Sequence, residues 1–437
     1  MIRDVQNPSP APVSVPEAEL TPSGPPDRLW NRSFLLLWLG QTISQLGNPA
    51  FNIGAMLWMK EATGSASLMG LMLTASAIPA LVLMPFGGTF ADRQSRVRIM
   101  IWSDLISGAA LLAFAAAAWL RPADTGLIIS LLFVVGVTLG IIRAFFGPAV
   151  GALIPDLVPR EKLPAANSLN QLSIQASIFS GQAVGGILFK LFGASLLFFI
   201  DGVSYLIAAL CSLFIPRDVR PARPAATDAR SFRQFFAETR DGFRYVWAQR
   251  GQRDFLVTAS LINFLAMPGT VLLPFYVDHD LNAGPQWYGF LVSGLSAGVV
   301  AGFLLAGALR LTGPARAQGM LTCLVLYPVF FGSLALWRQP LSALAAVFLG
   351  GLTTGFINVY LITLIQASTP AELRGRVMAF LWLLSGGLMP VGMALGGFAG
   401  DLTDKNVPLV IAVSAVLGLL VVLLLGFRRS SREYLAS

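Results

Sequence analysis

Long apolar runs dominate the chain and alternate with short stretches that are rich in Arg, Asp, Gly and Pro. An α-helix that crosses the hydrocarbon core of a bilayer needs about 20 mostly apolar residues, and these runs reach that length. The pattern predicts an all-α integral membrane protein with twelve transmembrane helices. The predicted spans are residues 33–59, 67–89, 98–120, 126–152, 166–190, 194–215, 254–278, 286–310, 317–337, 341–366, 375–400 and 407–427.

One connection between the predicted spans is much longer than the others. Residues 216–253 separate the sixth span from the seventh and are rich in Pro and Arg. They divide the protein into two six-helix halves, residues 29–215 and 254–427, and residues 428–437 form a cytoplasmic tail. Residues 1–28 contain seven prolines and few groups that could pack together, so this N-terminal tail is predicted to be disordered.

Part of the long connection has helical periodicity. Between residues 231 and 250, Phe and Trp side chains recur at helical spacing while arginines occupy the other face. This pattern predicts an amphipathic helix that lies on the inner membrane surface. We interpret it as a tether between the halves rather than as a regulatory element.

The composition agrees with a membrane protein and indicates its orientation. Hydrophobic residues make up 55% of the chain and charged residues only 12%, about half the typical share in a soluble protein. Of the 30 Lys and Arg residues, 24 fall on the termini, the long connection and the loops of the same side, against 5 on the opposite loops. By the positive-inside rule, both termini and the long connection are cytoplasmic. Since topology accounts for the net charge of +8, no nucleic-acid partner is predicted.

The residue inventory argues against several functional classes. The chain has one His and two Cys, and both Cys lie in apolar runs, which leaves no zinc-binding spacing and no disulfide framework. No phosphate-binding Gly-Lys-Ser/Thr loop occurs, so the sequence does not read as a self-contained ATP-driven pump. We expect no enzymatic activity, no metal and no cofactor.

The two halves repeat a pattern of glycines. The segment that begins at Pro159 matches the segment that begins at Pro370 at an offset of 211 residues, without a gap. Internal repeats of this kind are typical of secondary transporters. Because glycines let membrane helices approach closely, we expect the matched glycines to be packing positions. They are Gly181, Gly185 and Gly186 in the fifth span and Gly392, Gly396 and Gly397 in the eleventh.

The loop between the second and third spans carries a motif. Residues 88–98 read GTFADRQSRVR and resemble the G-x-x-x-D-R/K-x-G-R/K-R/K signature of the major facilitator superfamily, with Ser95 in place of the usual glycine and Val97 in place of a cation. The stretches NRSFLLLWLGQTIS, FFGPAVGALIPDLVPREKLPAANSL and ELRGRVMAF resemble the branch of bacterial enterobactin exporters and macrolide-efflux transporters. The resemblance covers residues 29–427 and implies two pseudo-symmetric six-helix halves around a central cavity.

The resemblance also implies a gate on the cytoplasmic side. In the superfamily this loop latches the two halves, and an aspartate such as Asp92 sits near the N-terminus of the eleventh helix, where the helix dipole favours negative charge. Arg96 is expected to pair with either Asp156 or Asp104. The predicted gate residues are Gly88, Asp92, Arg93, Arg96, Asp104 and Asp156.

Arg143 and Asp201 lie well inside predicted spans. A charge at the bilayer centre costs at least about 2.5–3.5 kcal/mol, so we expect such residues to have a functional or structural role. Arg143 and Gly147 match the superfamily's R-x-x-x-G pattern, which implies an arginine that faces the cavity and influences a coupling proton or an anionic substrate. We favour this role over an arginine held only by helix carbonyls. Asp201, in the sixth span, is either a reversible proton carrier or a hydrogen-bonded structural acid.

The first span carries four amide side chains at i, i+4, i+7 and i+11, which places them on one stripe of the helix. A polar stripe in a membrane helix faces protein or water, and we favour a role in the substrate cavity. Relatives often have an acid at the position of Asn48, so this chain departs from them at the usual coupling residue. The stripe is Gln41, Gln45, Asn48 and Asn52, with Asn263 and Asn358 as weaker candidates in the second half.

The combined features predict a secondary transporter that works by alternating access. We expect it to export an amphipathic small molecule, a drug or a siderophore-like metabolite, by proton antiport across the bacterial cytoplasmic (inner) membrane. Its partners would be the substrate, protons and the lipid bilayer, and it would act as a monomer. Two alternatives are an importer or facilitator of a small nutrient, and a non-transporting membrane scaffold or sensor.

Overall fold

The computed structural model describes residues 28–216, 240, 241 and 243–436, and no β-strand occurs among them. Nearly all of the predicted N-terminal tail and half of the predicted amphipathic helix lie outside these residues. A short 3₁₀ turn, Arg160–Lys162, precedes the fifth helix, and π-helical turns, Tyr276–Asp280 and Val422–Gly426, follow the seventh and twelfth. The helices are α1 (Arg32–Thr63), α2 (Ala66–Arg93), α3 (Arg96–Leu120), α4 (Thr125–Leu157), α5 (Leu163–Phe192), α6 (Ala194–Leu213), α7 (Arg250–Phe275), α8 (Gln286–Leu309), α9 (Gly313–Ser333), α10 (Pro340–Ser368), α11 (Ala371–Leu402), α12 (Val407–Val421) and α13 (Arg429–Ala436).

Local sequence signals set the helix ends, as the first connection illustrates. α1 begins after Asn31, whose side chain accepts a hydrogen bond from the Phe34 amide at 2.9 Å. It ends at Gly64, whose φ of 58° lies in the left-handed region that glycine adopts without strain. Ser65 then caps α2 by accepting a hydrogen bond from the Leu68 amide at 3.2 Å. Only two residues therefore separate α1 from α2, and the chain reverses direction at once.

The helices agree with a membrane-embedded protein. Among the described residues, ten helices are long and apolar enough to cross a membrane, and these correspond to all the predicted spans except α1 and α9. The four amides of the polar stripe lower the hydropathy of α1, and α9 opens with the sequence GPARAQG. The all-α membrane fold is therefore confirmed, whereas the count of twelve membrane-crossing helices stays a prediction.

The same helix contacts occur in both halves. In the first half, α1 packs against α5 and α6, α2 against α4, and α3 against α4 and α6. In the second half, α7 packs against α11 and α12, α8 against α10, and α9 against α10 and α12. The second set is the first set shifted by six helices. The two halves are thus pseudo-symmetric copies of one six-helix fold.

The repeated glycines lie where helix backbones meet within each half. A Cβ atom added at Gly185 would lie 2.8 Å from the backbone of α1, and one added at Gly396 would lie 2.4 Å from the backbone of α7. One turn earlier, Gly181 and Gly392 approach the same two helices, with added Cβ atoms 2.7 Å from a carbonyl oxygen in each case. A larger residue at any of the four would force the helices apart.

Two further glycines of the repeat lie between the halves. A Cβ atom at Gly186 of α5 would lie 3.0 Å from the Gln286 carbonyl oxygen of α8. A Cβ atom at Gly397 of α11 would lie 2.4 Å from the Ala66 carbonyl oxygen of α2. The interface between the halves therefore includes two close helix crossings, α5 with α8 and α2 with α11.

The apolar core differs between the two ends of the bundle. We call the end where α1 begins and α12 finishes the terminal end, and the opposite end the far end. At the far end one buried cluster contains residues of both halves, for example Met59 and Phe198 with Tyr276 and Leu291. At the terminal end the first half has one cluster and the second half has another. The halves are therefore joined at the far end, and among the described residues their buried clusters are separate at the terminal end.

The described part of the long connection packs on protein. Residues 243–248 are helical, and Val246 is only 1% exposed within the terminal-end core of the second half. The Phe243 ring lies 5.5 Å from the ring of Phe380 in α11. This turn of the predicted amphipathic helix is thus anchored to the second half.

The segment predicted as a C-terminal tail is a docked helix. Leu435 of α13 is fully buried, and its carbonyl oxygen accepts a hydrogen bond from Arg316 Nε at 3.0 Å. The Ser430 hydroxyl donates to the Asp254 carboxylate at 3.1 Å. α13 is therefore part of the terminal end of the second half.

Candidate functional site

At the far end, a carboxylate closes the interface between the halves. Asp401, in the last turn of α11, accepts hydrogen bonds from the Ser65 hydroxyl at 2.9 Å and from the amides of Ala66 and Ser67 at 3.0 and 2.9 Å. These groups form the N-terminus of α2, where unpaired amides and the helix dipole favour an anion. Because α11 and α2 belong to different halves, the contact holds the halves together.

A second polar contact lies at the same end. Lys60 Nζ, in the last turn of α1, lies 2.5 Å from Asp278 Oδ2 in the π-helical turn after α7. The Asp278 side chain is 53% exposed, so water screens this ion pair. It therefore supports the closure less strongly than Asp401 does.

At the terminal end, described positions face open space. A Cβ atom added at Gly88 in α2 would meet no atom within 4 Å, and the same holds at Gly147 and Gly151 of α4. Gly88, a predicted gate residue, therefore makes no close contact with the described residues of the second half in this conformation. The side chains of Asp92 and Arg93 lie outside the described part of the structure, so the latch against α11 stays a prediction.

Arg96 is paired within the first half. Its Nη1 atom binds Asp156 Oδ2 and donates to the Ala152 carbonyl oxygen at 2.9 Å. Of the two partners expected from the sequence, the structure therefore selects Asp156. The pair joins the first turn of α3 to the last turn of α4.

Asp104 lies away from the gate. It is fully buried, and neither of its carboxyl oxygens has a hydrogen-bond partner among the described residues. One turn later on α3, a Cβ atom added at Gly108 would lie 3.0 Å from the Gly202 carbonyl oxygen, so this face of α3 packs on α6. In this conformation the face of α3 that carries Asp104 therefore points into the first half, and a role of Asp104 in the gate stays a prediction.

The polar stripe of α1 runs from a buried position to an exposed one. Gln41 is 3% exposed, and Gln45 is half-buried with an unpartnered Oε1. Asn52 is exposed and donates to Asn48 Oδ1 at 3.2 Å. Asn48 in turn donates to the Tyr205 hydroxyl of α6 at 3.1 Å. The stripe therefore connects the exposed side of α1 to the interior of the first half.

Asp201 is buried directly against α1. It is fully buried, and its Oδ2 atom has no partner among the described residues. The Ser204 hydroxyl donates to the Asp201 carbonyl oxygen at 2.7 Å and lies 3.4 Å from Asp201 Oδ1. A Cβ atom at Gly47 of α1 would lie 2.3 Å from that same Oδ1. The glycine thus lets the α1 backbone rest on the carboxyl group.

Tyr205 lies within electrostatic range of several of these groups. Asp201, Arg143 and Asp104, which come from α6, α4 and α3, act on its hydroxyl from a distance, whereas Asn48 is hydrogen-bonded to it. Arg143 is exposed, so its positive charge lies at the outer boundary of this group. We define the polar cluster of the first half as Asn48, Asp104, Arg143, Asp201 and Tyr205.

The predicted amides of the second half are not part of this arrangement. Asn263 of α7 is half-buried and Asn358 of α10 is exposed. Both belong to the second half, and the structure does not bring them together with the polar cluster.

Sequence reasoning missed several of these residues. Tyr205 follows Asp201 by four positions, which places both on one face of α6 and could have indicated a shared role. Asp401 and Asp278 are acids on the side of the protein that carries few cations, but their partners lie in the other half of the chain. The sequence offers no local signal for such pairs.

Known proteins resemble nearly the whole chain. The sequence model of the family described as Transmembrane secretion effector matches residues 24–436. Macrolide efflux protein A of Streptococcus pyogenes is 24% identical over 384 residues, which cover 86% of this chain and 91% of that protein. Multidrug efflux pump Tap of Mycobacterium tuberculosis is 24% identical over 389 residues, which cover 86% of this chain and 88% of that protein.

Solved structures have the same fold. A bacterial homologue of the iron transporter ferroportin in its inward-facing state superposes with a TM-score of 0.71 at 17% identity, covering 91% of this chain and 99% of that one. The outward-facing state gives a TM-score of 0.56 at 18% identity, with coverages of 91% and 100%. The family match over nearly the entire length, together with this fold, shows that the chain belongs to the transmembrane secretion effector family, a group of major facilitator superfamily transporters.

Proposed function

We propose that this protein exports amphipathic small molecules from the bacterial cytoplasm across the cytoplasmic membrane in exchange for protons. The observation that carries the proposal is the unequal contact between the halves, which share one apolar core at the far end and have separate cores at the terminal end. Alternating access requires two halves that open at one end while they stay joined at the other.

The charge distribution favours a cytoplasmic terminal end. Lys and Arg are concentrated in the termini and in the loops of that end, as expected for segments that stay inside the cell. With this orientation, the space between the halves opens to the cytoplasm. The higher TM-score against the inward-facing structure, 0.71 compared with 0.56, supports the same assignment. An exporter takes up its substrate in this conformation.

The contacts at the far end suggest how the protein changes conformation. To open outward, it must break the capping of α2 by Asp401 and the ion pair between Lys60 and Asp278. Closure at the terminal end would then bring the end of α2 to the start of α11. Asp92, the second-last residue of α2, would cap α11 there, just as Asp401, the second-last residue of α11, caps α2 in the present conformation.

The substrate class follows from the relatives and from the polar groups of the first half. Two relatives are named for macrolide and for multidrug efflux. The exposed amide of Asn52 and the exposed cation of Arg143 offer few polar anchors on otherwise apolar helices, which suits large amphipathic molecules of varied shape. Arg143 would also suit an anionic, siderophore-like metabolite, so probes of both charge types are needed.

Everted membrane vesicles from cells that overproduce the protein test the proposal. Their cytoplasmic face points outward, so erythromycin, ethidium or a catecholate siderophore added outside should accumulate in the lumen when the lumen is acidified. Entry of the transported probe should make the lumen more alkaline as protons leave. Vesicles that contain equal amounts of the Arg143→Ala variant are the control.

The same assay separates the alternatives. Gradient-driven accumulation in right-side-out vesicles would favour an importer, and accumulation that is insensitive to the proton gradient would contradict proton coupling. If folded protein moved none of the probes in either orientation, the export proposal would fail and a scaffold or sensor would be favoured.

A further inference from the structure

We propose that the cavity between α9 and α13 binds an anionic phospholipid, with the lipid phosphate at Arg432 and one acyl chain along α9. All of the residues that line this cavity belong to the second half, so it lies outside the space between the halves. With the terminal end in its proposed cytoplasmic orientation, the lipid comes from the cytoplasmic leaflet. The site goes beyond the proposed export function and does not depend on proton coupling.

The cavity is large enough to hold part of a lipid molecule. It has a volume of about 620 Å³ and lies between one face of α9, the Phe427 side chain and α13. This volume falls within the range of about 300–1,000 Å³ that is usual for small-molecule sites. Along α9 the cavity extends from Pro314 to Leu326, which is about 18 Å at 1.5 Å per residue. One leaflet of the hydrocarbon core measures roughly 15 Å, so the length of the cavity suits one acyl chain and the start of a headgroup.

The wall that α9 contributes changes from polar to apolar along its length. Gln318 and Thr322 lie one turn apart on an exposed face of the helix, and neither side chain makes a hydrogen bond to another described residue. Farther along the helix, Val325 and Leu326 offer only hydrocarbon to the cavity. A phospholipid changes in the same order, from its phosphate to its ester groups and then to its acyl chains.

Arg432 supplies the positive charge at the polar end. Its side chain is exposed, and its guanidinium carbon lies over the Phe427 ring, 5.1 Å from the ring centroid. This cation–π contact uses the charge of the guanidinium but leaves its N–H groups unused. These N–H groups have no acceptor among the described residues. A guanidinium with free N–H groups binds phosphate oxygens in pairs, which makes Arg432 a suitable anchor for a lipid phosphate.

The neighbouring acid does not neutralise Arg432. Glu433 accepts a hydrogen bond from Arg429 Nε at 2.8 Å, so the acid of α13 is already paired on another side of the helix. The buried Leu435 and the hydrogen bond from Ser430 to Asp254 fix α13 on the second half. Arg432 is therefore held beside the cavity with its charge available to a ligand.

The start of α9 adds positive potential at the same end of the cavity. Thr312 provides no side-chain hydrogen bond to the first turn of α9, and this turn contains no acid. The unpaired amides and the helix dipole at such a terminus favour an anion. Because Pro314 of this turn and Arg432 both line the cavity, their positive contributions add up.

The combination of a charged end and an apolar end selects an anionic lipid over other occupants. A free phosphate ion would bind at Arg432 but would leave the apolar wall near Leu326 without a partner. A zwitterionic lipid would cover that wall but would bring an ammonium group close to Arg432. An anionic phospholipid suits both ends, because its ester oxygens can also accept hydrogen bonds from Gln318 and Thr322.

Photochemical labelling of the full-length protein in lipid nanodiscs tests the proposal. The nanodiscs consist of phosphatidylcholine with a small share of phosphatidylglycerol that carries a diazirine on one acyl chain. After illumination, mass spectrometry of the digested protein should find the label between residues 317 and 326. Excess unlabelled phosphatidylglycerol should suppress the label, whereas excess phosphatidylcholine or inorganic phosphate should not.

Variants of the two ends of the cavity make the test specific. Arg432→Gln should lower labelling of residues 317–326 about fivefold to tenfold, because the phosphate loses its cation. Thr322→Phe should also lower it, since the larger side chain occupies the cavity without a change of charge. Arg429→Gln removes the same charge from the same helix, but Arg429 is paired with Glu433 and does not line the cavity, so labelling should stay at the wild-type level. Size-exclusion chromatography checks that all variants are folded.

Four results would overturn the proposal. Equal suppression by phosphatidylcholine would mean that any acyl chain fills the cavity, and an equal loss of label in Arg429→Gln would mean unspecific attraction to a basic surface. Suppression by erythromycin but not by phosphatidylglycerol would assign the cavity to the transported substrate. Absence of label from residues 317–326 in protein that elutes as a dimer would assign this surface to a second copy of the chain.

Discussion

The two halves share one fold but differ in whether their buried carboxyl groups have hydrogen-bond or ion-pair partners. In the first half, Asp104 and Asp201 are fully buried, and each has at least one carboxyl oxygen without a partner among the described residues. In the second half, the Asp254 side chain is 7% exposed but binds Arg253 at 3.0 Å and Arg428 at 3.4 Å. A carboxylate between two guanidinium groups stays ionised, whereas an unpaired buried acid can change its protonation state.

This difference suggests that the buried acids have different roles in the two halves. Asp254 holds α13 and the end of α12 against the start of α7 through Ser430 and Arg428. It therefore has a structural role at the terminal end. Among the described residues, the unpaired acids of the first half make no such connection.

The largest effect is expected from removal of the exposed cation of the first half. Arg143→Ala should reduce transport to the background level of vesicles without the protein, because the charge that acts on Tyr205 is lost. The amount of folded protein in the membrane should stay near the wild-type level, as judged by size-exclusion chromatography in detergent. Asn358→Ala, which removes an exposed polar group of α10, is the matched change in the second half and should transport nearly normally. An equal loss of transport in both variants would contradict distinct roles for the two halves.

A second prediction concerns stability. Asp254→Ala leaves Arg253 and Arg428 without their acid and should lower the free energy of unfolding by about 2–4 kcal/mol, less than for a fully buried pair because Arg428 is half exposed. Asp104→Leu removes an unpaired buried acid and should leave stability unchanged or raise it. Thermal unfolding of the purified proteins at one pH shows whether each substitution lowers or raises stability. A large loss of stability in Asp104→Leu would mean that Asp104 has a structural partner.

A third prediction uses an acid that is paired across the interface. Asp401→Asn weakens the cap on α2 and should favour the outward-open conformation by about 1–2 kcal/mol, roughly a tenfold change in the equilibrium. Spin labels at Gln94→Cys and Ala315→Cys, in a background with Cys211 and Cys323 replaced by Ser, should move closer together as the terminal end closes.

The same labels test the cap that Asp92 is proposed to form on α11 at the terminal end. Asp92→Asn should shift the distance distribution in the opposite direction, since it would remove the cap proposed for α11 in the outward-open conformation. If Asp401→Asn left the distances unchanged, the cap of Asp401 on α2 would not stabilise the present conformation.

The smallest effect is expected at the exposed ion pair of the far end. Lys60→Gln should favour the outward-open conformation by about 0.2–1 kcal/mol, because Asp278 is 53% exposed and its interaction is screened. The difference in this equilibrium between Lys60→Gln and the wild-type protein should become smaller at higher salt concentration, since salt weakens the ion pair in the wild-type protein. The same spin-label distances measure it. An effect larger than that of Asp401→Asn would reverse the proposed ranking of the two contacts.

Much of the fold could be predicted from local features of the sequence. The predicted span at residues 98–120 falls within α3 (Arg96–Leu120), and the span at 194–215 coincides closely with α6 (Ala194–Leu213). Both predictions depend only on the length of an apolar run and on the residues that end it. The glycines matched at an offset of 211 likewise mark equivalent helix crossings, because a glycine repeated in two copies of a fold occupies the same contact.

The candidate site was less predictable. The spacing of the amides placed Asn48 and Asn52 side by side on α1, and the structure has them within hydrogen-bond distance. The sequence could not indicate that Asn48 would reach Tyr205, which is 157 residues away. It also left Asp156 and Asp104 as equal partners for Arg96, because both lie near the ends of helices whose packing was unknown.

By itself, the sequence determined that this protein is a helical membrane protein with two related halves, and it located the charged and polar residues along each helix. These properties depend on hydrophobicity and on spacing within one helix, so a neighbouring helix does not alter them. The pairing of the acids depends on the tertiary structure. Asp254 is paired with two arginines, Asp104 has no partner among the described residues, and Asp401 caps a helix that begins 335 residues earlier. Pairing depends on which helix faces touch, and that is set by the packing of the whole bundle.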